Sequence, residues 1–182
     1  MKRSLFVAAL AGTALVSLPF EASAQILKRG TAVEFGVAAG ASIPVSDLAD
    51  VTNTGFNGTV TVGFTPAMIP LGIRIDGAYN QWGGKSIIGG GNLHSTSVTG
   101  NLVYKMPGVS FSPYAIGGAG WYNFGASGGG SSENAFGWNI GGGISMALSG
   151  FDTFLEARYN QIQTDVTATK FIPIVFGVMF GF

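Results

Sequence analysis

Cysteine is absent from the 182 residues, which excludes disulfide scaffolds and thiolate-ligated zinc or iron–sulfur centres. Charge is scarce: Asp, Glu, Lys and Arg make up 10% of the chain, against about 25% in an ordinary soluble domain. Nine cationic and nine acidic residues give a formal net charge of zero, so the basic face of an electrostatic nucleic-acid binder is missing. Long hydrophobic runs are lacking too. Mean hydropathy is +0.40, yet beyond residue 24 no segment supplies the about 20 apolar residues of a membrane helix. The longest charge-free stretch, between Lys105 and Glu133, is interrupted by PGVS, GGAG and ASGGGSS, which are poor helix formers. What the chain has in excess is glycine, 30 residues, where the usual share is about 7%. With 47% hydrophobic and 12% aromatic residues, it is too apolar to be disordered.

The apolar run at the start has its own explanation. Lys2 and Arg3 precede the stretch Leu5 to Leu18, and Ala22-Ser23-Ala24 supplies small residues at a cleavage position. This three-part layout is that of a secretory signal peptide. Residues 1–24 are therefore expected to be removed, leaving 25–182 as one domain that begins with Gln25, not with a lipid-accepting cysteine.

The remaining chain runs with period two, the mark of half-buried strands. Apolar residues alternate with small or polar ones in 32–43 (Val33, Phe35, Val37), 56–64 (Val60, Val62, Phe64), 71–80 (Leu71, Ile73, Ile75) and 95–104 (Val98, Leu102, Tyr104). The same holds in 136–146 (Phe136, Trp138, Ile140), 154–161 (Leu155, Ala157, Tyr159) and 171–182 (Ile174, Phe176, Val178). The segment 111–122 is ambiguous; Tyr114, Ile116 and Tyr122 are the favoured apolar face, although Trp121 blurs the choice. Eight strands of about nine to twelve residues match the length of tilted transmembrane strands and exceed the soluble average of about five to six. Longer polar connections at 44–55, 83–92, 123–135 and 163–170 alternate with short ones at 65–70, 105–110 and 147–152. The expected fold is an all-β, eight-stranded antiparallel up-and-down transmembrane β-barrel.

A soluble barrel with an apolar interior is the other fold with this alternation. Its G-x-W signature near the start is absent, and its exterior would be Gly, Ala, Ser, Thr and Asn with few charges. Aromatic residues collect instead towards strand ends, as membrane interfaces favour. Phe56, Tyr79, Trp82, Tyr122 and Trp138 are expected at one rim, and Phe35, Phe64, Tyr104, Tyr114 and Phe180 at the other. Register follows from magnitude. Slipping each strand by one residue turns its charges outward, and an arginine at the bilayer midplane costs about 2–4 kcal/mol.

Glu34, Arg74, Asp76, Glu156 and Arg158 are thereby assigned to the lumen. Arg74 and Asp76 on the third strand face Glu156 and Arg158 on the seventh across an eight-strand ring, with Glu34 expected at similar depth. Buried charges must be paired, so the expectation is a salt-bridge plug; an ion gate is the alternative.

At this point the chain resembles a known family. SPYAIGGAGWY, LEARYN and the ending FGVMFGF are similar to the small eight-stranded outer-membrane barrels of the OmpA/OmpX type, and more closely to the outer membrane protein beta-barrel domain family. The resemblance implies export to the outer membrane of a diderm (Gram-negative) bacterium. It further implies recognition of the final strand by the outer-membrane assembly machinery through Phe176, Val178, Phe180 and Phe182.

Other motifs carry little chemistry. Some such barrels are lipid A deacylases with a His/Ser/Glu arrangement, and here His94 has Ser95 and Thr96 beside it but no acidic residue on the next strand. Gly84-Lys85-Ser86 imitates the end of a phosphate loop, but the leading glycine position holds Tyr79. Gly128-Gly129-Gly130-Ser131-Ser132 reads as a loop tip. The chain is therefore expected to be no enzyme, to hold no cofactor and no metal, and to bind no nucleic acid. A structural or surface-interaction role is expected, with outer-membrane lipid as its surroundings, possible extracellular ligands at Leu48–Asn57, Gln81–Asn92, Gly125–Asn134 and Gln163–Lys170, and a monomeric state. A small porin-like channel for ions or small apolar solutes is the alternative function.

Overall fold

The computed structural model describes residues 31–66, 69–86, 91–106, 111–127, 132–164 and 168–182. The expected signal peptide lies outside them, as does most of the glycine-rich tip at 128–132. Eight strands form the wall: β1 Thr31–Val45, β2 Gly55–Pro66, β3 Leu71–Gly83, β4 Asn92–Lys105, β5 Ser112–Ala126, β6 Glu133–Leu148, β7 Phe151–Ile162 and β8 Thr169–Gly181. Each pairs antiparallel with the next, and β1 pairs with β8 to close the barrel. Closure gives every strand two neighbours, so no sheet edge is left open.

Most strands run a few residues beyond their apolar alternation, which shortens the loops. Asn57, Gln81, Gly125 and Asn134, expected in loops, lie in β2, β3, β5 and β6. The connection before β2 also holds a short helix, α1 Asp47–Val51, whose Leu48 is buried. At the opposite end, β6 and β7 join through Ser149-Gly150 alone. Gly150 has φ 97°, a left-handed conformation that glycine adopts without steric cost.

The alternation sorts the faces as expected on seven strands. Phe35, Val60, Ile73, Val98, Ile140, Leu155 and Phe176 are exposed on the outer wall. Strand β5 is the correction. Trp121 is 69% exposed, whereas Tyr114, Ile116 and Tyr122 are buried in the lumen. The physical reason is that both faces of β5 carry apolar residues, and the phenols decide between them. Tyr114 O–H donates to Glu156 Oε2 at 2.8 Å and Tyr122 O–H to Asn160 Oδ1 at 3.0 Å. In hydrocarbon these hydroxyls would lose such partners. Outside, β5 presents Ala115, Gly117, Ala119 and the indole of Trp121, which meets Phe136 edge-on.

The aromatic girdles are corrected with it. Trp82, Tyr114 and Tyr122 belong to the lumen, while Phe56, Tyr79, Phe35, Phe64, Tyr104 and Phe180 remain exposed on the wall. Trp82 turns inward because its Nε1–H finds the Ser42 carbonyl at 3.1 Å and its ring packs edge-on against Phe171.

Val60 stands midway along β2 with 61% of its surface exposed. Val60→Arg should cost about 2–4 kcal/mol, the usual penalty for arginine at mid-wall, as measured by reversible denaturant unfolding in lipid vesicles.

Candidate functional site

The lumen is layered, and β7 alone spells out the order. From the short-turn end, its inward residues are Asp152, Phe154, Glu156, Arg158, Asn160 and Ile162. These mark an acidic mouth, an apolar layer, a charge layer, an amide layer and an apolar cap. Pairing register carries the same order round the wall. Glu156 lies beside Gly143 and Val175, and Asp76 beside Thr61 and Thr99.

The charge layer brings together four of the five charges expected in the lumen. Arg74 Nη2 contacts Glu156 Oε2 at 2.8 Å, and Arg74 Nε lies 3.0 Å from Asp76 Oδ1. Arg158 closes the ring, with Nη1 at 2.8 Å from Asp76 Oδ2 and Nε at 2.8 Å from Glu156 Oε1. Each arginine thus touches both carboxylates, and the ring is neutral. Asn101 Nδ2 donates to Asp76 Oδ2 at 2.9 Å, and Asn139 Nδ2 donates to Asn101 Oδ1 at 2.9 Å. On the short-turn side, the Arg74 guanidinium lies 5.8 Å from the Phe154 ring centre, within the range of a cation–π contact.

Glu34 stands apart from the ring. It lies on the inner wall nearer the short-turn mouth, where its Oε1 is 3.4 Å from Lys105 Nζ and its Oε2 accepts from Thr65 Oγ1 at 3.3 Å. The expectation of similar depth fails because of stagger: the row of Arg74 reaches β1 at Glu34 through Gly63, whereas the row of Glu156 reaches β1 at Gly40 through Val175, so the ring lies deeper than Glu34.

Two apolar layers inside the lumen went unread in the sequence. Val103, Tyr114, Ile116, Phe154, Val175 and Met179 cluster at and below the charge ring. Leu48, Trp82, Tyr122, Ala135, Ile162 and Phe171 form the cap at the loop end, with Leu93 and Phe124 against them. The available signal was the glycines on neighbouring strands, Gly143 paired with Tyr114 and Gly177 with Phe154. A Cβ on Gly143 would stand about 2.5 Å from the Tyr114 phenol, and one on Gly177 would meet the Phe154 ring. Glycine at these places makes room for a ring from another strand.

The packing leaves little space. A cavity of about 30 Å³ lies on the short-turn side of the ring, reaching Arg74, Tyr114 and Phe154. Another of about 20 Å³ lies on the loop side, among Asn57, Asn80, Asn160 and Tyr122. Each suits one or two water molecules, since one water needs roughly 10–15 Å³ on this measure.

The loop-end surface is joined across strands. Thr52 and Gly84 form a β-bridge, Asn53 N–H donates to Gly83 O, and Lys85 N–H to Val51 O. Lys85 Nζ donates to Ala49 O at 2.7 Å, so the lysine of Gly84-Lys85-Ser86 is engaged with α1. His94 stacks on Tyr79 at the outer wall, 6.4 Å between ring centres. Ser95 points the opposite way and is fully buried, so the pair shares no site. Among the described residues no group of three His, Asp or Glu could hold a metal. Phe176 and Phe180 lie on the outer face of β8, and the chain's last ring, Phe182, meets Phe35 edge-on while its N–H donates to Val33 O.

Known proteins share this architecture. Neisserial surface protein A is 19% identical with a TM-score of 0.64, the match covering 84% of this chain and 97% of that one. The N-terminal β-barrel domain of Pseudomonas aeruginosa OprF is 16% identical with a TM-score of 0.53, over 83% and 97% of the two chains. The outer membrane enzyme PagL is 18% identical with a TM-score of 0.50, over 81% and 98%. At these identities the likeness is one of fold. No curated protein sequence matches the chain. The family model for the outer membrane protein beta-barrel domain matches residues 8–182. With its closed eight-stranded wall, apolar outside and polar-cored within, the chain belongs to the outer membrane protein beta-barrel domain family.

Proposed function

We propose that this protein is a passive outer-membrane barrel of a Gram-negative cell, with a plugged lumen and a surface-interaction role carried by its loops. The observation that supports this most is the filling of the lumen at two levels. The Arg74–Asp76–Glu156–Arg158 ring closes the middle, and the Trp82–Phe171–Ile162 cap closes the loop end. Moving one side chain does not open a path, because the other closure remains. Ion conduction would need both a broken charge ring and a wetted apolar cap, each opposed by desolvation or lost burial. In this reading the loops face outward and the short turns face the periplasm. The bridge between the α1 loop and the end of β3 gives the outer surface a fixed shape on which a partner can be recognised. The wall meets outer-membrane lipid, the barrel works as a monomer, and Phe176, Val178, Phe180 and Phe182 serve the assembly machinery.

Planar-bilayer recording on the refolded protein tests the plug. No stable single-channel steps are expected, and their appearance in the unaltered protein would favour the channel reading instead. Arg74→Met and Glu156→Met should each destabilise the barrel by about 3–5 kcal/mol, because each leaves a buried charge without its partner. The double variant should lose less than the sum, with a coupling of roughly 0.5–3 kcal/mol in a double-mutant cycle. Phe182→Ser should lower the amount of heat-modifiable barrel in the outer-membrane fraction of cells while leaving refolding in detergent nearly unchanged. Equal loss in both settings would make Phe182 a packing residue only.

A further inference from the structure

The pairing that closes the barrel is broken at one place. Seven of the eight ladders run without omission among the described residues. Between β7 and β8 the pairing runs from Asp152↔Met179 to Ala157↔Ile174, then resumes at Asn160↔Phe171. By count, Arg158 stands opposite Pro173 and Tyr159 opposite Ile172 across the break. Pro173 is the cause, since proline has no N–H to give and is ordinarily kept to strand ends, edges or bulges. Pro44, Pro66 and Pro113 obey that rule, each at or next to the end of its strand, whereas Pro173 is the fifth residue of β8. On its other side the ladder passes unbroken through Ser42↔Pro173. The missing donor therefore faces β7, and the carbonyl it leaves unserved is that of Arg158.

Hydrocarbon offers no replacement for a lost backbone donor, so the lumen has to supply one. Asn160 does so: its Nδ2 donates to Arg158 O at 3.2 Å, while its Oδ1 accepts from Tyr122 O–H at 3.0 Å. Both ends of the Asn160–Arg158 bond lie on β7, so it satisfies the carbonyl without tying β7 to β8. Directly behind the break lies the cavity of about 20 Å³, bordered by Arg158, Asn160, Phe171, Pro173 and Tyr122. In front of it the Tyr159 ring leans on Trp138 of β6, 5.6 Å between centres. Water is near, because Asn160 is two residues from the loop end of β7, and Trp and Tyr are side chains that settle at the membrane interface.

We infer that the β7–β8 seam at Pro173 is the opening point of the wall, a side entrance by which water reaches the amide layer beneath the cap, with the Asn160 carboxamide as its latch. Opening is easiest there because the two strands already lack bonds that hold the other seams at this height. When the seam parts, water takes the place of Asn160 on the Arg158 carbonyl and enters the cavity. The charge ring below stays closed, so the inference goes beyond the plugged-lumen reading without admitting conduction.

Amide hydrogen exchange on the refolded protein in lipid nanodiscs, read residue by residue by NMR, tests it. The amides of Arg158, Asn160 and Phe171, which flank the break, should exchange at least tenfold faster than those of Ala78, Asn80 and Ser97, which border the same cavity from the opposite wall. Pro173→Ala restores the donor and should bring the seam to the reference rate. Asn160→Ala removes the latch and should speed the seam a further tenfold, while Tyr122→Phe, which keeps the Arg158 contact, should leave it unchanged. If Asn160→Ala does not fold, as judged by heat-modifiable migration, the Pro173→Ala comparison decides. Equal rates at the seam and at the reference amides overturn the inference, as does a fast seam that Pro173→Ala leaves fast. A seam indifferent to Asn160→Ala overturns the role of Asn160.

Discussion

Hydrocarbon outside the wall accepts neither charge nor an unpaired amide, and the rest of the structure follows from that constraint. The ladder must close on itself so that each strand's backbone groups are paired on both sides. Side chains then divide by parity, and every charge within the span must turn inward. Inside an eight-stranded barrel the space is narrow, so those charges meet. The ring of Arg74, Asp76, Glu156 and Arg158 is the outcome of neutrality imposed at close quarters. Two carboxylates and two guanidinium groups alternate so that each is flanked by opposite charge. Asn101 and Tyr114 add donors to oxygens that the arginines already contact, Asp76 Oδ2 and Glu156 Oε2.

The same narrowness explains the glycine content. A lumen that admits Tyr114, Tyr122 and Phe154 cannot also admit a side chain from the positions beside them on the next strand. Gly143 and Gly177 supply that room, and Gly137 does the same for Tyr122. Glycine is therefore a volume device inside the barrel as much as a turn residue. The apolar rings it accommodates leave only the cavities of about 30 and 20 Å³ on either side of the charge ring, and the low local dielectric strengthens the ion pairs.

Parity was legible wherever one face of a strand is apolar and the other is not. Leu71, Ile73 and Ile75 against Arg74 and Asp76 leave no choice of register, and Leu155 against Glu156 leaves none on β7. On β5 the signal fails for a physical reason: tyrosine satisfies either environment, with a ring for hydrocarbon and a hydroxyl for a carboxylate. What fixes Tyr114 and Tyr122 inward is a partner on β7, Glu156 or Asn160, and that contact has no local trace in residues 111–122. Trp82 was misread in the same way, since an indole near a strand end reads as an interface anchor until Ser42 O and Phe171 come within reach. Pairing of Arg74 with Glu156 was readable because strands three and seven of eight must be opposite. The separation of Glu34 was not, because counting from strand ends ignores the stagger between neighbours in a tilted barrel.

The layered filling bears on where recognition resides. A charge ring is rigid because any displacement exposes an unpaired charge to a low-dielectric surrounding. The Trp82–Phe171 cap is rigid because its members lose burial by moving. The loop-end surface is different: the Thr52–Gly84 bridge and the Lys85–Ala49 contact hold two connections together above the cap, while Asp47 and Asp50 on α1 are exposed. Its shape is thus set by bonds that the lumen does not share. A sequence change at Asp47, Asp50 or the following loop can alter what the surface meets without disturbing the ring, the cap or the wall. In the function proposed above, stability and recognition are separated along the barrel axis, the first in the layers from Phe154 to Phe171 and the second beyond them.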